Sequence, residues 1–155
     1  MMREKTCCFT GHRVIPADQK GYLESALRQT IDNLIGRGFR FFGAGGALGF
    51  DTMAAQAVLS WKIVYPHIRL ILVLPCPEQG KYWTPAQKFL AGTIRERADK
   101  VVYTSAAYHS GCMYQRDRHL VDCSSACVAY CRRNTGGTAY TVRYARQQGL
   151  ELISL

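Results

Sequence analysis

The chain has 155 residues, of which 48% are hydrophobic and 20% charged, and this composition excludes a disordered protein and predicts one globular domain over residues 1–155. Its formal net charge of +9 favours anionic partners, such as a nucleotide, nucleic acid or an acidic membrane surface. No apolar run approaches the roughly 20 residues that cross a bilayer, and no signal-peptide core follows the N-terminus, so we expect a cytoplasmic protein without a membrane partner.

The first half of the chain predicts three strands and two helices. Leu23, Leu27 and Ile31 recur at helical spacing, and the glycines after residue 35 end that helix. Asp51 stands where an N-cap of the second helix is expected. The strands are predicted over residues 6–10, 39–43 and 69–74, and the helices over residues 17–35 and 51–64.

The second half continues the alternation of strands and helices. Thr84 and Pro85 begin a helix, because a hydroxyl cap followed by proline is typical of a first helical turn. Strands are predicted over residues 100–104, 126–131 and 150–155, and helices over residues 85–98, 113–123 and 138–148. Regular alternation predicts a three-layer, Rossmann-like α/β fold, with about six mostly parallel strands and helices on both faces. We expect the first strand at the centre, in an order near 3-2-1-4-5-6.

Seven cysteines are present, and an odd number without an export signal argues against a disulfide framework. Cys123, Cys127 and Cys131 invite a metal-site interpretation. However, a strand would separate the last two by about 13 Å, which is too far for one ion. We therefore interpret the cysteines as buried structural thiols and expect no metal, and the sequence assigns no other cofactor.

In an open parallel sheet, ligands bind beyond the carboxyl ends of the strands, so the turns that follow strands are the candidate site. The first of these turns is Thr10-Gly11-His12-Arg13. Glycine permits a sharp turn, and His12 and Arg13 then present donor or cationic groups to the crevice. The alternative is a surface turn with a solvated arginine.

The turn after the second strand, residues 43–51, contains four glycines and ends in an aspartate. Backbone amides at the start of a helix favour an anion, and the candidate ligand contacts here are Gly45, Gly46, Ala47 and Gly49. The pattern is neither a dinucleotide-binding G-x-G-x-x-G nor a P-loop. Asp51 has two open interpretations, as a helix cap or as an acceptor for a ribose hydroxyl.

The turn after the fifth strand combines two glycines with flanking hydroxyl residues at a helix start, in Thr135, Gly136, Gly137 and Thr138. Such a turn is suited to holding phosphate, and the preceding Arg132-Arg133 pair raises the local positive potential. The alternative is an ordinary glycine-rich connection. We expect this turn and the amides near Gly45 and Gly46 to face one shared cleft.

Two further segments carry candidate ligand contacts. Arg116 and Asp122 lie on the helix before the fifth strand, where a solvated helix face is the other interpretation. Tyr82 or Trp83 could stack on a base and Gln79 could hydrogen-bond to it, although either aromatic residue could equally cover the core.

Together these motifs resemble the YpsA/YspA-like branch of the SLOG superfamily. The resemblance rests on Thr-Gly-His-Arg at 10–13, Gly-Gly-Ala-Leu-Gly-Phe-Asp at 45–51, Gln79 with Trp83, Arg116 with Val121-Asp122, and Gly-Gly-Thr at 136–138. It implies a Rossmann-like fold and a small-molecule ligand of nucleotide type. It also implies two kinds of relative: LOG-type phosphoribohydrolases, which cleave the base–ribose bond of nucleoside monophosphates, and DprA proteins, which bind single-stranded DNA.

The sequence departs from the LOG pattern at one position that matters for catalysis. LOG enzymes have Pro-Gly-Gly-x-Gly-Thr-x-x-Glu at the last turn, with a catalytic glutamate, whereas residues 139–142 here supply no acid. Hydrolysis would need Asp51, Asp117 or Asp122 instead, with His12 as a candidate acid.

The main hypothesis is a sensor or binding module for a phosphate-bearing nucleotide or nucleotide derivative. The alternatives are an N-glycosidic hydrolase and a single-stranded nucleic-acid binder that stacks bases on Tyr82, Trp83, Tyr108 or Tyr114. Catalytic residues stay unassigned, and a homo-oligomer stays open.

Overall fold

The computed structural model describes residues 2–155, and its elements alternate as the sequence predicts, with boundaries that differ by at most three residues. The strands are β1 (Thr6–Gly11), β2 (Phe41–Ala44), β3 (Arg69–Leu74), β4 (Lys100–Tyr103), β5 (Ala126–Tyr130) and β6 (Glu151–Ser154). The α-helices are α1 (Lys20–Gly36), α2 (Phe50–Val64), α3 (Pro85–Arg97), α4 (Cys112–Asp122) and α5 (Gly137–Gln147), and short 3-10 turns cover Arg3–Lys5 and Ala17–Gln19. Among the described residues, no helix combines the length and apolar character needed to span a bilayer.

The six strands form one sheet in the order β4-β3-β2-β1-β5-β6, and every neighbouring pair is parallel. This confirms the predicted Rossmann-like α/β class. The expected order 3-2-1-4-5-6 is wrong, because β5 rather than β4 pairs with β1. The crossover through α3 continues outward and leaves β4 at the edge, where Lys100 and Tyr103 are exposed.

The helices cover the two faces of the sheet unequally, with α1, α2 and α3 on one face and α4 and α5 on the other. This division follows from right-handed crossovers in a sheet that grows first in one direction and then in the other. Successive residues of β1 serve both faces, since Cys7 and Phe9 pack under α1 and α2 while Cys8 packs under α4 and α5. The first strand also lies in the interior of the sheet, between β2 and β5, which confirms the expected central position.

The start of α3 confirms the predicted cap. Thr84 Oγ1 accepts from the Gln87 backbone N–H at 3.2 Å, and Gln87 Oε1 accepts from the Thr84 backbone N–H at 3.0 Å. Pro85 follows at the first helical position. This reciprocal pair satisfies two backbone donors that the helix itself cannot pair.

Candidate functional site

A cleft of about 420 Å³ opens beyond the carboxyl ends of β1 and β5, where the direction of the sheet's connections reverses. We call it the switch-point cleft. Its walls come from the turn after β1, the start of α2, the first half of α4 and the turn before α5. The polar and glycine residues that line it are Thr10, Gly11, His12, Arg13, Asp51, Tyr114, Arg116, Asp117, Arg133, Thr135, Gly136, Gly137 and Thr138.

The turn after β1 is locked against the start of α2. The Phe50 backbone N–H donates to the His12 carbonyl at 3.1 Å, and a Cβ atom at Gly11 would overlap the buried Phe50 ring. Gly49 has φ +76°, and a Cβ atom there would overlap the Arg13 carbonyl oxygen. Glycine is thus required at both positions, although Gly49 shapes the cleft without lining it.

His12 joins the ends of β1 and β5 as a neutral acceptor. Its Nε2 accepts from the Arg132 backbone N–H at 2.7 Å, and its ring packs edge-on against Tyr130 at 5.6 Å. Burial lowers the pKa of His12, and the positive charges of Arg133 and Arg132 lower it further. Because Nε2 accepts, the ring proton sits on Nδ1, and this geometry favours a positioning role over the acid role considered from sequence.

Arg116 is a buried arginine whose Nη2 group is left for a ligand. Only 4% of the residue is exposed; Nε donates to Asp117 Oδ1 at 2.7 Å, and Nη1 donates to the Gly45 carbonyl. Nη2 has no hydrogen-bond partner among the described residues. Since every buried side-chain polar atom of those residues has a partner, the unpaired Nη2 is not buried, and it opens into the cleft that Arg116 lines. A fixed guanidinium with a free N–H edge is suited to an anionic oxygen.

Asp51 also faces the cleft from a buried position, with 7% of the residue exposed. Its Oδ2 accepts from the Ala47 backbone N–H at 3.2 Å, and Oδ1 has no partner within residues 2–155. The N-cap of α2 is Gly49, so the interpretation of Asp51 as the helix cap is wrong. Burial raises the pKa of Asp51 to about 6, although the Arg116 charge opposes that rise.

The turn before α5 is open. Gly136 is the N-cap with φ +95°, and a Cβ atom at Gly136 or Gly137 would meet no atom within 4 Å. The first backbone bond of α5 runs from the Tyr140 N–H to the Gly136 carbonyl, which leaves the amides of residues 137–139 for solvent or a ligand. Thr135, Gly136 and Gly137 are exposed, and no side chain fills the space beside the two glycines.

The expectation that Gly45 and Gly46 share this cleft is wrong, because the Arg116 side chain lies beside Gly45, and Gly46 faces Leu74 and Gln79. A Cβ atom at Gly45 would lie 2.6 Å from Arg116 Nη1. Gly46 instead lines a neighbouring cavity of about 470 Å³, the Trp83 cleft, whose walls include Leu74, Gln79, Trp83 and Tyr103. Gln79 Nε2 donates from that side to the Gly45 carbonyl at 3.4 Å, so Gly45 separates the two clefts.

Asp122 lies outside the switch-point cleft. It is exposed at the end of α4 and accepts from the Tyr144 hydroxyl at 2.7 Å. Asp117, which the sequence offered only as a catalytic alternative, is the residue that pairs with Arg116. Sequence reasoning also does not identify Val14 and Met113, which supply apolar lining and carry no distinctive signal in the sequence.

The seven cysteines are free thiols, and the described residues hold no group of three His, Cys, Asp or Glu side chains arranged for a metal ion. Cys123 and Cys131 are half-buried, while the other five are buried.

Residues 15–151 match the family model of the YspA SLOG family. Similar curated proteins include the SPbeta prophage-derived protein YoqJ of Bacillus subtilis, which is 28% identical over 138 residues and covers 81% of each chain. The UPF0398 protein BH1768 of Halalkalibacterium halodurans is 30% identical over 130 residues, which span 82% of this chain and 69% of that relative.

Two solved structures of DNA processing protein A have a similar fold. The protein from Helicobacter pylori, described with a unique single-stranded DNA binding mode, gives a TM-score of 0.68 at 18% identity and matches 96% of this chain and 64% of its own. The protein from Streptococcus pneumoniae gives 0.67 at 14% identity and matches 99% of this chain and 50% of its own. At these identities the likeness establishes the fold alone, and this chain spans only part of both solved chains.

Proposed function

The chain belongs to the YspA SLOG family, and from that premise we propose that the switch-point cleft binds the phosphate of a nucleotide or nucleotide derivative, as a binding module or sensor. The observation that carries the proposal is the buried Arg116, whose Nη2 opens into the cleft that the N-terminus of α5 also faces. A buried cation with an unused donor favours an anionic ligand over water.

The phosphate is held in this proposal by charges and amides together. The free amides of residues 137–139 point outward from the N-terminus of α5, where the helix dipole favours negative charge. Arg13 and Arg133 are exposed at the rim of the same cleft, so they attract the anion from solution. Arg116 then contacts it from below with a guanidinium that is already fixed.

The ribose is assigned to Asp51. Its Oδ1 is unpaired and faces the cleft, so it is free to accept from a sugar hydroxyl. The same carboxyl supports one alternative activity, hydrolysis of an N-glycosidic bond, because an acid with a pKa of about 6 transfers protons well near neutral pH. Release of free base from a nucleoside monophosphate, lost in Asp51→Asn, would establish that activity.

The proposal is tested by calorimetric titration with adenosine monophosphate and with adenosine. We expect the monophosphate to bind at least about tenfold more tightly, because a charge-assisted phosphate contact is worth about 1.5–3 kcal/mol. Equal affinities, or no binding of either compound, would exclude a phosphate site in the cleft.

A matched pair of variants at Gly137 locates the site. Gly137→Asp adds a carboxylate at the first residue of α5, and Gly137→Asn adds a side chain of the same shape without the charge. The space beside Gly137 is empty and an acidic first turn suits a helix, so both variants should fold. We expect the aspartate variant to lose binding of adenosine monophosphate and the asparagine variant to keep most of it. The same loss in both variants would mean that bulk, not charge, is responsible.

A further inference from the structure

A second cavity, of about 520 Å³, adjoins the switch-point cleft across the turn that begins α5. Tyr114, Thr135 and Gly136 line both cavities, so the two meet along a common edge. The other walls of the second cavity come from the segment before α4 and from α4 and α5 themselves. We call it the tyrosine pocket, after Tyr114 and Tyr140, and its cationic residues are Arg118 and Arg143.

The tyrosine pocket is positively charged, since its lining contains two arginines and no carboxylate. Arg118 Nη1 donates to the Tyr140 hydroxyl at 2.9 Å, and Arg143 Nη1 donates to the Asn134 carbonyl at 3.0 Å. Neither arginine forms an ion pair with a described carboxylate, and their remaining N–H groups have no partner within residues 2–155. The pocket can therefore receive an anion without displacing an existing ion pair.

The pocket also offers an aromatic surface. The rings of Tyr114 and Tyr140 meet edge to face with centroids 4.7 Å apart, and Tyr144 stacks beside Tyr140 at 6.4 Å with nearly parallel rings. Tyr114 is 42% exposed, so part of its surface is available to a planar group. The two tyrosines that line the pocket, beside two arginines, are suited to a base and a phosphate together, because bases stack on aromatic rings and guanidinium groups bind phosphate.

We infer that the tyrosine pocket is a second subsite, and that the ligand consists of two nucleoside units joined through phosphate. This inference rests on the proposed function, which supplies the first unit in the switch-point cleft. Each cavity alone falls within the 300–1,000 Å³ that is usual for a small-molecule site, and a mononucleotide would leave one of them empty. Either a free pyrophosphate-bridged dinucleotide or a short single strand of nucleic acid has this chemistry.

The inference is tested by calorimetry with three probes that share the same base: adenosine monophosphate, diadenosine diphosphate and the dinucleotide pApA. We expect at least one two-unit probe to bind about tenfold or more tightly than the monophosphate. Arg143→Gln, alone and with Arg118→Gln, should reduce that advantage to less than about threefold and leave the affinity for the monophosphate unchanged. Arg146→Gln is the matched control, because Arg146 is exposed on the same helix and lines neither cavity.

The outcomes distinguish a failure of the second subsite from a failure of the proposed function. Preference for diadenosine diphosphate identifies a free dinucleotide as the ligand class, and preference for pApA identifies a nucleic-acid strand. If the monophosphate binds and neither two-unit probe improves on it, or if Arg143→Gln weakens all three probes equally, the second subsite is disproved while the phosphate site stands. If none of the three binds, the proposed function fails and the second subsite fails with it.

Discussion

Arg116 Nη1 donates a hydrogen bond to the carbonyl oxygen of Gly45, a residue 71 positions earlier in the chain. The bond connects α4, on one face of the sheet, to the loop that follows β2 and leads to the other face. Asp117 holds Nε of the same guanidinium at 2.7 Å. With two of its edges occupied, the guanidinium presents Nη2 to the switch-point cleft in one orientation.

Arg116→Lys tests this fixed orientation. Lysine keeps the charge but lacks the planar fork that serves Gly45, Asp117 and a ligand at once, so we expect the affinity for adenosine monophosphate to fall about tenfold or more. Calorimetry gives the affinity, and circular dichroism checks the fold. Arg97→Lys is the control, because Arg97 is exposed at the end of α3 and lines no part of the cleft. An unchanged affinity in Arg116→Lys would remove Nη2 from the proposed contact.

Asp51→Asn should stabilise the protein near neutral pH. The pKa of the Asp51 carboxyl is about 6 in the folded protein, against an ordinary value of 3.8, so the folded state binds the carboxyl proton more tightly than the unfolded state does. The stability that this proton contributes is therefore present below about pH 4 and is lost as the pH rises through 6. One pKa unit corresponds to about 1.4 kcal/mol, so asparagine should raise the free energy of unfolding at about pH 7 by up to about 3 kcal/mol. Urea denaturation between about pH 4 and pH 8 measures the difference, which should vanish at the acid end. A loss of stability at neutral pH would contradict the raised pKa.

The same substitution separates ribose binding from charge repulsion. If Asp51 accepts from a ribose hydroxyl, Asp51→Asn should weaken adenosine monophosphate by roughly tenfold at about pH 7.5, since a hydrogen bond to a charged group is worth about 1.5–3 kcal/mol. Inorganic phosphate should bind as well or better, because one negative charge leaves the cleft. Titration with both compounds decides the matter, and parallel changes for the two would exclude a ribose contact.

His12 should be neutral, with its proton on Nδ1, throughout the neutral pH range. Burial, Arg133 and Arg132 lower its pKa below 6.5, so the stability linked to the neutral ring is complete above about pH 6.5 and is lost as the pH falls through the lowered pKa. Nitrogen-15 NMR of the imidazole reports both the tautomer and the pKa. His12→Ala should cost about 1 kcal/mol by leaving the Arg132 N–H without its acceptor. A proton on Nε2 would rule out the bond that joins the ends of β1 and β5.

Gly11→Ala should destabilise the fold by about 1–3 kcal/mol, because the new methyl group would overlap the ring of the fully buried Phe50. Gly36→Ala is the matched control. Gly36 is the last residue of α1 and has open space beside it, so alanine there should be neutral or stabilising by up to about 1 kcal/mol. Thermal and urea unfolding compare the two variants, and equal effects would mean that Phe50 does not enforce glycine at Gly11.

The elements of the fold could be predicted from the sequence because each carries a local signal. Buried strands appear as apolar runs, and the Thr84-Pro85 pair identifies the start of α3. The strand order could not be predicted in this way, because an apolar run does not encode which strand lies beside it. The exposed Lys100 and Tyr103 are the one indication in β4 of an edge strand, and exposure is visible only after folding.

The sequence predicts only part of the candidate site, because its local signals identify the turns but not the boundaries between cavities. The turns after β1 and before α5 share one cleft, as the rule for carboxyl ends of strands predicts. Gly46, Gln79 and Trp83 belong instead to the Trp83 cleft, because the path of the long Arg116 side chain decides where one cavity ends and the next begins. That path depends on tertiary packing, and no spacing between residues in the sequence specifies it.

The carbonyl oxygen of Gly45 accepts from Arg116 on one side and from Gln79, at 3.4 Å, on the other. The Gly45 peptide group and the Arg116 side chain bonded to it therefore lie together between the two clefts. A ligand that drew either donor away from this carbonyl would leave it to the other donor alone, so we expect ligands in the two cavities to affect each other's binding. By thermodynamic reciprocity, any effect of an occupant of the Trp83 cleft on affinity in the switch-point cleft would equal the reverse effect.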